Sequence, residues 1–170
     1  MKSIFYIICL FLIYGCVSQN TNVYEGYKVS GKLTNDQKNF VRQRHLDVIN
    51  ALRVEKNLEK LKMSPKLNAS ADTHARDLFF QKRAWNFGSD LSSPYDRGKV
   101  VNFFGDVIGE NVSETFEGEF EVLQVWLNNK ISSDNIFNPF VTHIGLGIYQ
   151  ENNGKIWWVQ DFGMINIKKD

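Results

Sequence analysis

The chain has 170 residues, of which 43% are hydrophobic and 14% aromatic. This length allows one domain, and so many aromatic residues exclude a disordered chain. Twenty Lys and Arg residues against 19 Asp and Glu residues leave a net charge of +1. Such a small charge provides no general attraction to nucleic acid, so we expect a globular domain without nucleic-acid partners.

The N-terminal residues have the composition of a secretory signal. Lys2 precedes an unbroken apolar run over residues 4–13, which is too short for a permanent membrane span of about 20 residues. The four residues Ile-Tyr-Gly-Cys that end at Cys16 resemble a bacterial lipobox. We predict a lipoprotein signal peptide over 1–15, an acyl lipid such as palmitate on Cys16, and a membrane tether over 16–33. An ordinary signal peptide that is cleaved elsewhere is the alternative.

Capping signals and hydrophobic periodicity predict the elements of the folded part. Thr34 and Gln37 have the spacing of a capping box, and Ser64 followed by Pro65 is a second helix start. The predicted elements, in chain order, are a helix over 35–56, a helix over 65–82, a loop over 86–94, a short helix over 95–104, a strand over 106–112, a helix over 117–129, and strands over 143–149 and 155–162.

The last two predicted strands form a hairpin. Asn153 and Gly154 lie between them, and Asn-Gly between apolar runs is a strong hairpin signal. Helices that precede a hairpin, with one strand between them, predict an α+β fold with an antiparallel sheet.

Short motifs along the chain occur in the order of a known family. These motifs are Asn50-Ala51-Leu52-Arg53, Ser64-Pro65-Lys66-Leu67-Asn68, Gly109-Glu110-Asn111, Trp126, Asn135-Ile136-Phe137-Asn138-Pro139, His143-Ile144-Gly145-Leu146-Gly147 and Trp158-Val159-Gln160-Asp161-Phe162-Gly163. Over about residues 40–163 the chain resembles the CAP superfamily (cysteine-rich secretory protein, antigen 5, pathogenesis-related 1). The resemblance implies a three-layer α-β-α sandwich with a small antiparallel sheet, in a domain over 34–170. With the lipobox, the chain resembles a spirochaete outer-surface lipoprotein.

The resemblance also implies a central cleft, in which two His and two acidic residues of many family members can bind a divalent metal such as zinc. Counting along the motifs places Asn86, Glu110, Asn129 and Ser132 at these four positions. Asn and Ser supply neither imidazole ligands nor groups that titrate near neutral pH. We therefore expect no metal, no cofactor and no catalysis at a degenerate cleft, where the two Asn amides donate to a buried Glu110.

Other side chains offer alternative sites with weaker support. Three histidines could form a different metal site, but no two of them have ligand-like spacing: His45, His74 and His143. A hydrolase triad of Ser132 or Ser133 with Asp134 and His143 lacks the Gly-x-Ser-x-Gly turn that positions a nucleophile. Acidic residues over 110–121 could bind calcium loosely, but a solvated helix start explains them better.

The sequence therefore predicts a non-enzymatic, monomeric surface protein that is anchored to a bacterial outer membrane through Cys16. Its partner is a host protein or an apolar small ligand such as a sterol, and aromatic residues over 79–104 could line a groove for it. Two alternatives remain open: a hydrolase-like or protease-like CAP enzyme, and a structural envelope lipoprotein.

Overall fold

A computed structural model describes residues 32–115 and 117–165. Its helices are α1 (Asn35–Glu55), α2 (Pro65–Gln81), α3 (Pro94–Val100), α4 (Glu119–Asn128) and α5 (Lys130–Ile136), and its strands are β1 (Lys62–Met63), β2 (Asp106–Thr115), β3 (His143–Gln150) and β4 (Ile156–Met164). The predicted signal peptide, Cys16 and nearly all of the tether lie outside these residues. Within them, no helix combines the length and the apolar character that a membrane crossing requires.

Helices α1 and α2 start where their caps predict. The Thr34 hydroxyl accepts a hydrogen bond from the Gln37 backbone, and the Gln37 side chain accepts one from the Thr34 backbone. The Ser64 hydroxyl caps α2 by accepting a hydrogen bond from the Leu67 backbone. Helix α3 ends at Val100, before the predicted 104, because Asn102 takes a positive φ of 53° that no helix continues through.

Two elements were not predicted from the sequence. Strand β1 has only two residues and forms by pairing with β3. Helix α5 follows α4 directly, and Asn129 serves as the C-cap of α4 and the N-cap of α5. Neither element is long enough to show a hydrophobic period of its own.

The four strands form one sheet in the order β1-β3-β4-β2. Strands β3 and β4 make the predicted hairpin, β2 pairs antiparallel with β4, and β1 adds a short parallel pairing at one edge. Helices α1, α4 and α5 cover one face of the sheet, and α2 and α3 cover the other. The predicted α+β three-layer architecture is confirmed.

Helix α2 lies unusually close to β3. A Cβ atom on Gly145 would lie 2.3 Å from the backbone carbonyl carbon of Leu67, and one on Gly147 would lie 2.1 Å from that of Ala71. Both positions therefore require glycine, and this close packing holds the inner face of α2 against the middle of the sheet.

Side chains complete the edge of β3 that β1 leaves uncovered. Asn68 and Asp72 accept hydrogen bonds from the backbone N–H groups of Leu146 and Ile148, both at 2.9 Å. Arg42 donates to the Leu146 carbonyl at 2.8 Å and pairs with Asp72 at 2.6 Å. The edge is thus satisfied within the chain, without a further strand.

Candidate functional site

Two polar clusters, each built around a buried pair of strand residues, lie on opposite faces of the β2–β4 pair. Glu110 is opposite Asp161 in the register, and Asn111 is opposite Gln160. Because side chains alternate along a strand, the first pair faces α2 and α3, and the second pair faces α1 and α5. We call the first group the charged cluster (Asn86, Glu110, Asp161, Arg97 and His74) and the second the amide cluster (Asn111, Gln160, Asn135 and His45).

In the charged cluster, both oxygens of Glu110 are engaged. Arg97 donates from Nη2 to Oε2 at 2.5 Å, and Asn86 donates from Nδ2 to Oε1 at 2.9 Å. The Glu110 side chain is only 1% exposed. His74 Nε2 lies 3.7 Å from Oε1 and donates to the Trp85 carbonyl at 3.0 Å. Glu110 is therefore held by a cation and an amide from two separate segments.

The capped start of α3 positions Arg97. Ser93 and Asp96 form a capping box, and Pro94 occupies the first turn. The guanidinium also donates to the backbone carbonyls of Ser92 at 2.8 Å and Asn86 at 3.2 Å. Arg97 thereby links the loop over 86–93 to Glu110 on strand β2.

Burial governs the protonation of the charged cluster. Burial, and then the neighbouring Asp161 carboxyl, raises the pKa of Glu110, whereas Arg97 acts in the opposite direction. Burial also raises the pKa of Asp161. Burial and then the Arg97 charge lower the pKa of His74 to about 4, so this imidazole is neutral at pH 7. Since its Nε2 carries the proton toward Trp85, its Nδ1 is an acceptor.

The amide cluster contains no carboxylate. Asn111 donates to the Gln160 side chain at 3.0 Å and to the Ser132 carbonyl at 3.1 Å, and it accepts from Asn135 at 2.9 Å. Gln160 then donates to His45 Nε2 at 2.6 Å. Burial lowers the pKa of His45 to about 4. Neutral side chains from four elements of the fold, α1, β2, α5 and β4, are therefore hydrogen-bonded to one another.

The structure brings together two of the four predicted cleft residues. Asn86 donates to Glu110, but the expectation that Asn129 does so is wrong: its side chain caps α5 by accepting from the Ser132 backbone N–H at 3.1 Å. Ser132 contributes its carbonyl to Asn111 in the amide cluster. The second donor to Glu110 is Arg97, because α3 packs against β2.

Glu110 is not the only titratable group of the cleft, contrary to what the four predicted positions imply. Asp161 and His74 both lie beside it. Asp161 carried a detectable signal, since it is a carboxylate within a largely apolar predicted strand. His74 was named only as a possible metal ligand, and it is fully buried on α2.

The alternative metal and triad residues do not converge. His45 lies in the amide cluster, His74 lies in the charged cluster, and the His143 ring packs against Phe103. Asp134 pairs with exposed Lys130 on α5. Across 32–115 and 117–165, no group of three or more His, Cys, Asp or Glu residues is arranged to hold a metal ion. The expectation that the protein binds no metal stays a prediction.

The domain has two helical layers on a mixed sheet, and its strand β2 carries the Gly-Glu-Asn motif with a buried Glu110. This combination defines a CAP-type domain. Residues 46–162 match the sequence profile of CAP, the Cysteine-rich secretory protein family, and the chain belongs to that family.

Similar proteins come from several bacteria. "Uncharacterized protein YkwD" of Bacillus subtilis (strain 168) is 30% identical over 122 residues, which cover 69% of this chain and 45% of that protein. An extracellular protein containing a SCP domain from Bacillus anthracis str. Ames has a solved structure with a TM-score of 0.69 and 25% identity, covering 79% of this chain and 45% of that one. The chain thus spans about half the length of these two relatives.

An outer surface protein from Borrelia burgdorferi shares the fold over its whole length. Its structure has a TM-score of 0.68 and 19% identity, covering 81% of this chain and 100% of that one. Proteins similar to this chain therefore include extracellular and outer-surface proteins.

Proposed function

We propose that this chain is a non-enzymatic, lipid-anchored protein of a bacterial outer surface that binds a host protein. The binding is inferred from exposed apolar side chains on the segment that precedes β2. Five of the eleven exposed large hydrophobic side chains in the described part of the chain lie on this segment: Phe87, Leu91, Tyr95, Val100 and Phe104. We call these five side chains the apolar patch.

The apolar patch favours a protein partner over a sterol. Its side chains project from α3 and from the loops before and after it, and Val100 and Phe104 are 81% and 83% exposed. A sterol requires an enclosed apolar pocket, whereas the cavity of about 300 Å³ beside the patch is partly open and has Asp77, Asp90 and Arg97 in its lining. Exposed large apolar side chains that are concentrated on one segment are typical of protein interaction sites.

The charged cluster supports a non-enzymatic function. A general acid or base must reach the proton that it transfers in a bound substrate. Both Glu110 oxygens already accept hydrogen bonds within the fold, and the Asp161 side chain is completely buried. These carboxyls therefore stabilise the packing of α3 and the loop over 86–93 on the sheet.

The lipobox that ends at Cys16 supports the anchor. An acyl chain on this residue would hold the domain at a membrane face, with the tether between them. The similar proteins of Bacillus anthracis and Borrelia burgdorferi are extracellular and outer-surface proteins, which agrees with an outward location. Mass spectrometry of the N-terminal peptide tests the lipid, and protease treatment of intact cells tests the exposure of the domain.

A binding screen tests the partner. The full-length chain, reconstituted in liposomes, is assayed against host matrix proteins and complement regulators. We expect saturable binding of at least one protein, and a loss of affinity of roughly tenfold or more in Leu91→Asp and Phe104→Asp. Ile131→Asp is the matched control, because Ile131 is equally exposed but lies on α5.

Three results would overturn parts of this proposal. If labelled cholesterol binds to the liposome-free protein and no protein of the screen does, the ligand is a sterol. If the patch variants bind as tightly as the control, the contact surface lies elsewhere. Hydrolysis of casein or of nitrophenyl esters that Glu110→Gln abolishes, while its unfolding curve stays cooperative, would restore the enzymatic alternative.

A further inference from the structure

Three aromatic rings pack in a row between the end of α2 and the β3–β4 hairpin. The centroid of the Phe79 ring lies 4.9 Å from that of Tyr149 and 5.1 Å from that of Phe80. Phe79 and Tyr149 are partly buried, whereas Phe80 is 63% exposed. The row therefore starts in the fold and ends in solvent, and none of its rings belongs to the apolar patch.

An exposed cation lies over each ring of this row. The distances from the cation to the ring centroid are 3.5 Å for Lys82 and Phe79, 5.6 Å for Arg76 and Phe80, and 5.9 Å for Lys32 and Tyr149. Separations of up to about 6 Å allow cation–π attraction, which keeps the three cations on one surface. We call these six side chains the basic aromatic surface.

The three cations have no carboxylate partner of their own. Within residues 32–115 and 117–165, none of Lys32, Arg76 and Lys82 forms an ion pair. Two carboxylates of the neighbouring elements are already paired with other cations: Asp72 with Arg42, and Glu114 with Lys155. These two ion pairs leave the charge of the surface unchanged.

Two unpaired carboxylates near the surface offset its charge only in part. Glu151 lines the hollow between Lys32 and the hairpin, and it accepts a hydrogen bond from the Trp157 indole at 2.8 Å. Asp77 accepts one from the Ser89 backbone at 2.7 Å, so it is directed toward the loop over 86–93. Arg83, next to Lys82, is a further exposed cation. The surface therefore keeps a positive charge.

The chain enters the described domain at this surface. Lys32 is the first residue that the structure describes, and it belongs to the basic aromatic surface. Only residues 17–31 separate it from Cys16 in the sequence. An acyl chain on Cys16 would therefore hold this surface closer along the chain to the bilayer than any other surface of the domain.

We infer that the basic aromatic surface docks on the anionic phospholipid headgroups of the membrane that holds the anchor. The cations contact lipid phosphates, and the exposed Phe80 ring enters the headgroup region. Each basic residue near an anionic membrane surface strengthens its association by roughly fivefold. This inference rests on the proposed lipid anchor but not on the proposed host-protein binding, because the surface shares no residue with the apolar patch.

Acetylation of lysine side chains measures the docking. The full-length chain is placed on liposomes of phosphatidylcholine, with or without roughly 30% phosphatidylglycerol, and is treated with an N-hydroxysuccinimide ester. Mass spectrometry gives the rate at each lysine. We expect Lys82 to react at least roughly fivefold more slowly on the anionic liposomes. About 1 M NaCl should restore the rate, because it shortens the Debye length to about 3 Å.

Lys60 is the internal control for this measurement. It is exposed, and it follows α1, whose 21 residues extend about 30 Å from the end near Lys32. We expect the acetylation rate of Lys60 to be the same on both kinds of liposome. A general effect of the anionic liposomes on the reagent would slow Lys60 and Lys82 alike.

Two charge reversals test the surface itself. Arg76→Glu should remove most of the slowing at Lys82, because it replaces an exposed cation of the surface with an anion. Lys60→Glu makes the same change of net charge beyond the far end of α1 and should leave the slowing intact. Urea midpoints close to that of the wild type show that both variants are folded.

Each outcome decides the inference. Equal acetylation of Lys82 on the two kinds of liposome overturns the docking surface, and so does equal slowing in Arg76→Glu and Lys60→Glu. Mass spectrometry of the N-terminal peptide in the same sample reports the anchor separately. An acylated chain without protection of Lys82 leaves the anchor standing. Protection of Lys82 in a chain without the lipid supports the surface and overturns the anchor.

Discussion

The charged cluster and the amide cluster occupy the two faces of the same strand pair, one residue apart along β2. On one face Glu110 is removed from water and is held by Arg97 and Asn86, with Asp161 beside it. On the other face Asn111, Gln160 and Asn135 form a neutral chain that ends at His45. Burying a charge costs far more than burying an amide, so the first face depends on one cation. The stability of the second face depends instead on several weaker hydrogen bonds between neutral side chains.

The largest expected effect tests the dependence on that cation. Arg97→Met leaves Glu110 buried without its ion-pair partner and should lower the free energy of unfolding by about 3–5 kcal/mol at pH 7. Urea denaturation measures it. Lys130→Met is the control. Because the ion pair of Lys130 with Asp134 is exposed, this variant should change the free energy of unfolding by less than about 1 kcal/mol.

A second variant sharpens this test. Glu110→Gln removes the charge, so Arg97→Met should cost less in that background than in the wild type. A loss that is the same in both backgrounds would mean that Arg97 acts through packing alone, and the contrast between the two faces would fail.

The next effect is on the pH dependence of stability and concerns the amide cluster. Burial lowers the pKa of His45 from 6.5 to about 4. Between these values the unfolded chain binds a proton that the folded chain does not, so stability falls as the pH falls. We expect His45 to account for about 2–3 kcal/mol of the loss between pH 7 and pH 4.5.

Comparison of His45→Gln with the wild type at the two pH values isolates this contribution, since the charged cluster is the same in both proteins. His143→Gln is the control, because His143 is only partly buried and should change the profile less. A pH profile that His45→Gln leaves unaltered would contradict the buried neutral imidazole.

Breaking the amide chain should have a moderate effect. Asn111→Ala leaves the Gln160 carbonyl and the Asn135 amide without their partner and should cost about 2 kcal/mol, less than the loss of Arg97. Thermal and urea unfolding measure it. Asn128→Ala, at the exposed end of α4, should change stability by less than about 0.5 kcal/mol. If Asn111→Ala costs more than Arg97→Met, the ranking of the two faces is wrong.

The smallest expected effect tests the assignment of Asn129. Asn129→Ala removes the N-cap of α5 and should cost about 1 kcal/mol, whereas Asn129→Asp should preserve or increase stability at a helix N-terminus. If Asn129 instead lay beside Glu110, the new carboxylate would be clearly destabilising. Urea midpoints of the two variants distinguish the cap from a cleft residue.

Local chemistry explains which elements could be predicted. Helices α1 and α2 begin at Thr34 and Ser64 because their caps act within three residues, and the β3–β4 hairpin follows from its Asn-Gly turn. Strand β1 has no such signal, because it exists only through its pairing with β3. Asn129 is also a residue type that favours a helix N-cap, so the start of α5 had a local signal. Counting along the family motifs placed Asn129 and Ser132 in the cleft instead.

The candidate site was only partly predictable, because some of its contacts join segments that are far apart along the chain. Motif spacing identified Asn86 and Glu110 as neighbours, and they are bonded. Arg97 belongs to no motif of the resemblance, and its role depends on how α3 packs over β2. The closeness of Asp161 to Glu110 depends on the register of two strands that are far apart along the chain.

By itself the sequence determined the helix starts, the hairpin, the family and the burial of Glu110, because caps, turns and periodicity act over a few residues. Only the tertiary structure decided that Glu110 meets Arg97 and Asp161, that Asn129 caps a helix, and that Asp77 and Asp90 share one cavity. These contacts join segments whose approach is set by layer packing and strand register, and side-chain spacing along the chain does not encode such distances.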